Sequence, residues 1–131
     1  MADKQIIIFI KTLISKTKNK EIDWKYLDEN KSLYENMNWV EWDYVLGSSA
    51  PNFNVEDSFY AYIDGTYVVL YVPNYSPATL YVIPSTFKKI RECEPVEYGS
   101  YITRLLNIVQ SQFPSADQFI KNFSFDEITE V

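Results

Sequence analysis

A hydrophobic stretch runs almost without interruption over residues 58–83, and its few turn residues divide it into three predicted strands. Asp64-Gly65 separates two segments rich in Tyr, Val and Ile, which is the strongest short-range signal for a β-hairpin. A type I′ turn requires positive φ at both central residues, and Asp-Gly adopts this conformation readily. Pro73 ends the second strand, Pro77 lies in the connection, and residues 79–83 form the third strand.

A two-residue loop at Asp64-Gly65 fixes the pairing of the first two strands and sorts their side chains onto two faces, because directly opposite residues share a face. A shift by one residue would mix aliphatic and tyrosine side chains, so their separation supports this register. The aliphatic face carries Phe59, Ala61, Ile63, Val68, Leu70 and Val72. The tyrosine face carries Tyr60, Tyr62, Tyr67, Val69 and Tyr71. In the third strand, Leu80 and Val82 join the aliphatic face and Tyr81 joins the tyrosine face.

The spacing of apolar residues predicts an amphipathic helix at the start of the chain. Asp3 is a candidate N-cap, and Asn19 is a natural stop. Ile7 and Ile8 fall outside the main apolar stripe, and two interpretations remain open. Either the helix is wedged between other elements, or its second apolar side meets another protein chain, which includes a homodimer through this helix. The main stripe consists of Ile6, Phe9, Ile10, Leu13 and Ile14.

The same periodicity predicts helices after the hairpin. The clearest begins near Pro95, which suits a first helical turn, and is broken at Pro114. Ser115 and Gln118 form a capping box for a final short helix. Another short helix is predicted within residues 84–93. The apolar stripe of the main helix consists of Ile102, Leu105, Leu106, Val109 and Phe113.

Residues 22–57 have a less regular pattern, from which we predict a short helix over residues 28–37 and an additional strand over residues 39–45. The helices must bury their apolar stripes, and the aliphatic face of the sheet is the nearest apolar surface. We therefore predict a single α+β domain over residues 1–131. It contains an antiparallel sheet of three to four strands, with an N-terminal helix and C-terminal helices packed on one face.

Charge is unevenly distributed along the chain, whose net charge is −6. Residues 1–25 hold six lysines against three acids, whereas residues 26–57 hold one lysine against seven acids. An acidic protein lacks the cations that phosphate contacts require, so we expect no nucleic-acid partner. No apolar run approaches the ~20 residues of a membrane helix, and the start does not resemble a secretory signal. We therefore expect no membrane partner and a cytoplasmic location.

The chemistry that the sequence offers is narrow. Histidine is absent, the three glycines are isolated from one another, and Cys93 is the single cysteine. These facts argue against Ser-His and Cys-His nucleophiles, a zinc-thiolate cluster and a glycine-rich phosphate loop. Glu92 and Glu94 flank Cys93 and should raise the pKa of its thiol, which indicates a structural cysteine. We predict no catalytic residue, no metal site and no cofactor, and hence a protein that is not an enzyme.

Three functions remain open. The first is a small interaction protein of the immunity, antidefence or regulatory type that binds a protein partner stoichiometrically. The second is a small-molecule binder with an aromatic pocket between the sheet and a segment that carries Trp24, Trp39 and Trp42. The third is an enzyme based on the carboxylates of Glu41 and Asp43, with Glu56-Asp57 nearby in sequence. The first hypothesis places partner-binding residues on the tyrosine face and in the acidic 28–57 region: Tyr60, Tyr62, Tyr67, Tyr71, Trp39, Trp42, Glu41 and Asp43.

The start of the chain also carries a recognisable order of residues: Leu13, then Lys16-Thr17, then Glu21-Ile22-Asp23-Trp24. Over residues 1–24 the chain resembles small uncharacterised proteins of Gram-positive bacteria and their phages. In these proteins an amphipathic helix is followed by a Thr-Lys turn and an Ile-x-Trp segment that leads into a sheet. The resemblance implies a bacterial or prophage origin and no particular activity, so it assigns no functional residues.

Overall fold

The computed structural model describes residues 2–37, 55–73 and 77–125. A 3₁₀ turn at Leu27–Glu29 precedes the second helix, and another at Val55–Asp57 precedes the hairpin. The helices are α1 (Lys4–Lys18), α2 (Lys31–Glu35), α3 (Pro95–Gln110) and α4 (Ala116–Phe125). The strands are β1 (Lys25–Tyr26), β2 (Phe59–Ile63), β3 (Thr66–Tyr71), β4 (Thr79–Pro84) and β5 (Arg91–Cys93).

The described strands form one antiparallel sheet of five strands in the order β1-β2-β3-β4-β5. The α+β prediction is confirmed, with a strand count slightly above the three to four predicted. β1 and β5 are short edge strands that the sequence pattern did not identify. The strand predicted over residues 39–45 lies outside the described residues.

The β2–β3 hairpin has the predicted turn and register. Asp64 and Gly65 both have positive φ, at 47° and 77°, as a type I′ turn requires. Tyr62 lies opposite Tyr67, and Phe59 lies opposite Leu70. β4 extends the same alternation, because its pairing places Leu80 opposite Leu70 and Tyr81 opposite Val69.

The aliphatic face is covered by α1 and α3, which form the main core with it. Asp3 caps α1 by accepting a 2.8 Å hydrogen bond from the backbone N–H of Gln5, and Asn19 is the C-cap, as predicted. The two helices are also joined at both ends. The backbone N–H of Asp3 donates to the Tyr98 hydroxyl at 2.9 Å, and the Gln112 amide donates to the Thr17 carbonyl at 3.1 Å. These contacts hold α1 and α3 side by side over the sheet.

The tyrosine face is covered in part by the segment that contains α2. Leu27, Leu33 and Met37 are fully buried in a second cluster with Val69 and Tyr71. The helix predicted over residues 28–37 is therefore present in outline, as the Leu27–Glu29 turn followed by α2. The sheet consequently has packed side chains on both faces.

The prediction of a helix within residues 84–93 is wrong. The chain instead makes a turn, in which Phe87 and Lys89 have positive φ, and then forms β5 against β4. The helix prediction depended on only two apolar residues, spaced by about one helical turn. Backbone pairing with the free edge of β4 stabilises a strand here instead. β5 places Cys93 opposite Leu80 on the aliphatic face.

α3 begins at Pro95, as predicted, but ends at Gln110, before the predicted break at Pro114. Phe113 therefore lies beyond the helix, where its ring packs against Tyr26 at 4.8 Å and Phe59 at 5.2 Å between centroids. Of the two C-terminal helices, only α3 contributes buried side chains to the main core among those described. In α4, Phe119, Ile120 and Phe123 are exposed.

Candidate binding surface

The tyrosine face is divided into a buried part and an exposed part. Tyr71 is only 4 % exposed, and Tyr81 and Val69 are also buried, because Leu27 and the neighbouring α2 segment lie on them. Tyr71 therefore belongs to the core. Its prediction as a partner-binding residue is corrected, since a buried ring cannot form part of an exposed surface.

The exposed part lies at the turn end of the hairpin. Tyr62 is 56 % exposed, while Tyr60 and Tyr67 are half-buried. The Tyr62 and Tyr67 rings lie 4.8 Å apart, and the Tyr60 and Tyr67 rings lie 6.3 Å apart. Phe87 stacks on Tyr67 with ring centroids 6.1 Å apart and an interplanar angle of 26°. We call Tyr60, Tyr62, Tyr67 and Phe87 the hairpin corner.

The position of the α2 segment explains why this corner stays open. The backbone N–H of Leu27 donates a 2.8 Å hydrogen bond to the Ser58 carbonyl, at the start of β2. The Ser58 hydroxyl in turn accepts a 2.9 Å hydrogen bond from the backbone N–H of Val72, which closes that end of the hairpin. The covering segment is thus anchored at the end opposite the Asp64-Gly65 turn, so the described part of it leaves Tyr62 uncovered.

Phe87 is the member of the hairpin corner that sequence reasoning missed. Its predicted place was on the apolar side of a short helix, whereas its positive φ of 59° turns the chain so that its ring reaches Tyr67. The signal that was available is its context. A single aromatic residue between Ser85-Thr86 and Lys88-Lys89 is as typical of a turn as of a helix.

Charged residues adjoin the hairpin corner in the strand pairing and in the sequence. Lys25 lies opposite Tyr60 in the β1–β2 pairing and therefore on the same side of the sheet, and its ammonium lies 4.0 Å from the Asp23 carboxylate. Lys88 and Lys89 follow Phe87 directly and are exposed. An aromatic centre with a polar, solvent-exposed rim is the usual composition of a protein–protein interface.

The other predicted binding residues cannot be placed beside this corner. Trp39, Glu41, Trp42 and Asp43 lie outside the described residues. The structure therefore brings together Tyr60, Tyr62 and Tyr67 and separates them from Tyr71. Trp24, which the small-molecule hypothesis placed at an aromatic pocket, is buried against α1 on the opposite side of the sheet.

Cys93 is fully buried within the aliphatic core. The pKa of its thiol is raised from 9.0 to about 11, mainly by burial, while the Arg91 guanidinium lowers it and the Glu92 carboxylate raises it by smaller amounts. The predicted direction of the pKa is confirmed, but burial rather than the acidic neighbours is its main cause. In residues 2–37, 55–73 and 77–125 there is no group of three or more Cys, Asp or Glu side chains that could hold a metal ion.

Two further findings bear on the class of protein. No helix in the described part of the chain is long and apolar enough to span a membrane. Comparisons with protein-family models, with curated proteins and with solved structures gave no match to this chain. What the protein does must therefore be inferred from its own surface.

Proposed function

We propose that this protein acts by stoichiometric binding to a protein partner through the hairpin corner. The exposure of Tyr62 is the observation that carries the proposal. A tyrosine on a central hairpin, with its ring centroid 4.8 Å from that of Tyr67, presents a large and rigid surface with few torsions to immobilise. A small acidic protein that binds its partner stoichiometrically would be a protein of the immunity, antidefence or regulatory type.

The ring geometry favours a protein partner over stacked nucleobases. The Tyr62 and Tyr67 rings are inclined by 52°, and the Tyr60 and Tyr67 rings by 55°, so these tyrosines do not present a row of parallel faces. Stacking sites for single strands also require a positive groove, whereas here Asp64 occupies the adjacent turn and Asp23 lies 4.0 Å from Lys25. Side chains of a protein partner can pack between inclined rings.

The acidic 28–57 region is the second component of this proposal. Its described acids, Asp28, Glu29, Glu35, Glu56 and Asp57, are all exposed. Glu35 forms an (i, i+4) ion pair with Lys31 at 3.7 Å. These carboxylates lie on the segments that flank the hairpin, where they favour a partner with basic groups near its apolar contact.

The small-molecule alternative receives less support from the described side chains. Trp24 donates its indole N–H to the Thr17 hydroxyl in the core, so it is not available to line an open pocket. One concavity, of about 790 Å³, lies between the end of α1 and the end of α3, and no aromatic residue lines it. The carboxylate enzyme depends on Glu41 and Asp43, which lie outside the described residues.

A site-specific crosslinking experiment tests the proposal. A photoreactive phenylalanine analogue is placed at position 62 and, as a matched control, at position 96, because Val96 is 90 % exposed on α3, away from the hairpin. We expect a discrete protein adduct from position 62 in cells of the native host, and its loss when unlabelled wild type competes. Adducts of equal yield and composition from both positions would contradict the proposal.

Self-association through the N-terminal helix is a separate proposal that involves a different surface. Ile7 packs in part against the main core, whereas Ile8 is 64 % exposed on α1. Of the two residues outside the apolar stripe, only Ile8 is thus available to a second chain. This exposed isoleucine supports the predicted homodimer.

A further inference from the structure

The outer edge of β2 is paired over only part of its length. β1 pairs with Phe59 and Tyr60, whereas β3 on the other side pairs with every residue of β2. The hydrogen-bonding groups of an antiparallel strand alternate between its two edges, so residues 58, 60 and 62 direct theirs to the same edge. The bond from the Leu27 N–H to the Ser58 carbonyl identifies this as the β1 edge. The N–H and the carbonyl of Tyr62 therefore point outward, beyond the end of β1.

These two groups of Tyr62 have no backbone partner within the described part of the chain. β1 would have to extend by two residues, to Asp23, in order to pair with them. The chain instead leaves this edge at Trp24, whose indole donates to Thr17 of α1 on the aliphatic side of the sheet. The β2 edge is consequently open at Tyr62, which is also the most exposed residue of the hairpin corner. We call residues 61–63 of β2 the open edge.

Other edge positions of the sheet are closed by the chain itself. Pro84, at the end of β4, has no N–H, and its carbonyl accepts a 2.7 Å hydrogen bond from the Phe87 N–H. On β1, the Tyr26 N–H donates to the Glu29 carboxylate at 3.2 Å. Free backbone groups on an exposed edge promote pairing with other chains, and proteins usually cover them. The open edge at Tyr62 is therefore a candidate site for a strand of another protein.

We propose that an extended segment of the protein partner adds to the open edge as an antiparallel strand. This inference rests on the proposed function, because it names the form in which a partner contacts the same corner. An extended polypeptide presents a carbonyl and an N–H at the spacing that the N–H and carbonyl of Tyr62 require. In an antiparallel pair both bonds go to a single partner residue, which suits an edge that is open only over residues 61–63.

Strand pairing also determines which partner side chains meet the hairpin corner. The partner residue opposite Tyr62 lies on the tyrosine side of the sheet, because directly opposite residues share a face. A β-branched or aromatic residue suits this position, since it packs against the exposed Tyr62 ring. The residues before and after it lie opposite Ala61 and Ile63, on the aliphatic side. The corner and the open edge thus form one continuous contact, in which the ring supplies apolar area and the backbone supplies hydrogen bonds.

Amide hydrogen exchange of the full-length chain, measured by NMR, tests whether the edge is open. The Tyr62 N–H should exchange within about tenfold of the rate of an unfolded chain. The Val69 N–H, which pairs with Tyr81 at the centre of the sheet, should be strongly protected. A Tyr62 N–H as protected as that of Val69 would overturn the proposal, because another segment of this chain or a second copy would then occupy the edge.

Random peptides of about eight residues displayed on phage are the probe for strand addition. Peptides selected on the wild type are resynthesised with an N-methyl group at each position in turn. Binding should fall at least about tenfold for N-methylation of the residue opposite Tyr62, and little for its two neighbours, whose N–H groups face away from the edge. Failure to select any peptide, or binding that is insensitive to N-methylation at every position, would overturn the proposal.

The matching change in the protein removes the Tyr62 N–H but keeps the ring. The α-hydroxy analogue of tyrosine at position 62 replaces the amide by an ester. The control carries the same analogue at position 67, where the N–H faces β4. Peptide binding should weaken at least about threefold for the ester at position 62 and less than about twofold for the control. Equal weakening by both esters would overturn the proposal.

The same measurements separate this inference from the proposed function. If Tyr62→Ala abolished peptide binding but the ester at position 62 did not, strand addition would be rejected and the hairpin corner would remain the binding surface. If the N-methyl effect were found but position 62 gave no specific crosslink in the native host, the proposed function would be rejected, and the open edge would remain a site that accepts a strand.

Discussion

The indole N–H of Trp24 donates a 3.0 Å hydrogen bond to the hydroxyl of Thr17, and both residues are buried. Thr17 lies in the last turn of α1, and Trp24 lies directly before β1. The bond therefore fixes the position of the helix relative to the first strand of the sheet. The side-chain amide of Gln112 donates to the backbone carbonyl of the same Thr17. This bond also fixes the chain just after α3 to the end of α1.

Thr17→Val should destabilise the protein, because valine has nearly the same shape but leaves the buried indole N–H without its acceptor. We expect a loss of about 1–3 kcal/mol in the free energy of unfolding, measured by urea denaturation. Thr12→Val is the matched control. It changes the same residue type on the same helix, but the Thr12 hydroxyl is exposed and bonds only to the Ile8 carbonyl. Equal effects of the two substitutions would show that the Trp24–Thr17 bond contributes nothing.

Gly65→Val should destabilise the hairpin through the backbone alone. Gly65 has φ of 77°, and an added Cβ would meet no atom within 4 Å, so no steric clash with other residues contributes. A β-branched residue at positive φ costs about 1–3 kcal/mol, and we expect a thermal melt to show a loss in this range. Gly65→Asn is the control, because asparagine tolerates this conformation better, and it should lose less. An unchanged melting temperature for Gly65→Val would contradict the type I′ turn.

The hairpin was predictable because two independent signals agree there. Asp64-Gly65 specifies the turn, and the alternation of aliphatic and tyrosine side chains specifies the register. Sequence patterns of this kind are local, however, and they do not say which end of a face a distant segment will cover. Tyr62 and Tyr71 occupy equivalent positions in the pattern, yet only Tyr71 is buried. The difference depends on the hydrogen bond between Leu27 and Ser58, residues that are far apart in the chain.

The turn before β5 illustrates a second limit. The residues with positive φ at this turn, Phe87 and Lys89, are not glycines, so the sequence context favoured a turn no more than a helix. The prediction of a helix there also removed Phe87 from the candidate site. Three of the four tyrosines predicted for the binding surface lie at the hairpin corner. The fourth ring of this corner belongs to Phe87, whose contact with Tyr67 was identified only from the structure.

Leu105→Ala and Leu106→Ala should differ, although both leucines lie in the predicted stripe of α3. Leu105 is fully buried in the main core, whereas Leu106 is half-buried at its edge. We expect a loss of about 2–5 kcal/mol for Leu105→Ala, and a clearly smaller loss for Leu106→Ala. Chemical denaturation of the two variants serves as a mutual control, because the substitution and the helix are the same. Equal losses would contradict the observed orientation of α3.

The buried thiol of Cys93 should make stability depend on pH in the alkaline range. Its pKa is raised from 9.0 to about 11, so between these values the unfolded chain loses a proton that the native state retains. The contribution of this thiol is therefore fully present below about pH 9 and is lost as the pH rises toward about 11. Cys93→Ala should show a shallower decline of the melting temperature over this interval than the wild type. Identical slopes would contradict the burial of the thiol.

Tyr62 and Tyr71 provide the sharpest test of the division of the tyrosine face. Tyr62→Ala removes an exposed ring that contacts Tyr67, so we expect a loss of stability of about 0.5–1.5 kcal/mol, the value of an aromatic pair. Tyr71→Ala removes a ring buried under the α2 segment and should cost about 3–5 kcal/mol, like other buried aromatic residues. Thermal melts of both variants measure this difference before any partner is identified.

Partner binding should follow the opposite order. Tyr62→Ala should keep a cooperative unfolding transition but lose at least about 2 kcal/mol of binding free energy, as expected for a hot-spot residue. In the double variant Tyr62→Ala/Tyr67→Ala the binding loss should increase, and stability should fall further because Tyr67 is half-buried and stacks on Phe87. Tyr71→Ala, studied at a temperature where it stays folded, should bind almost normally because its ring does not reach the surface. If Tyr62→Ala bound as well as the wild type, the hairpin corner would not be the interface, and the acidic 28–57 region would be the next surface to test, by charge reversal at Glu41 and Asp43.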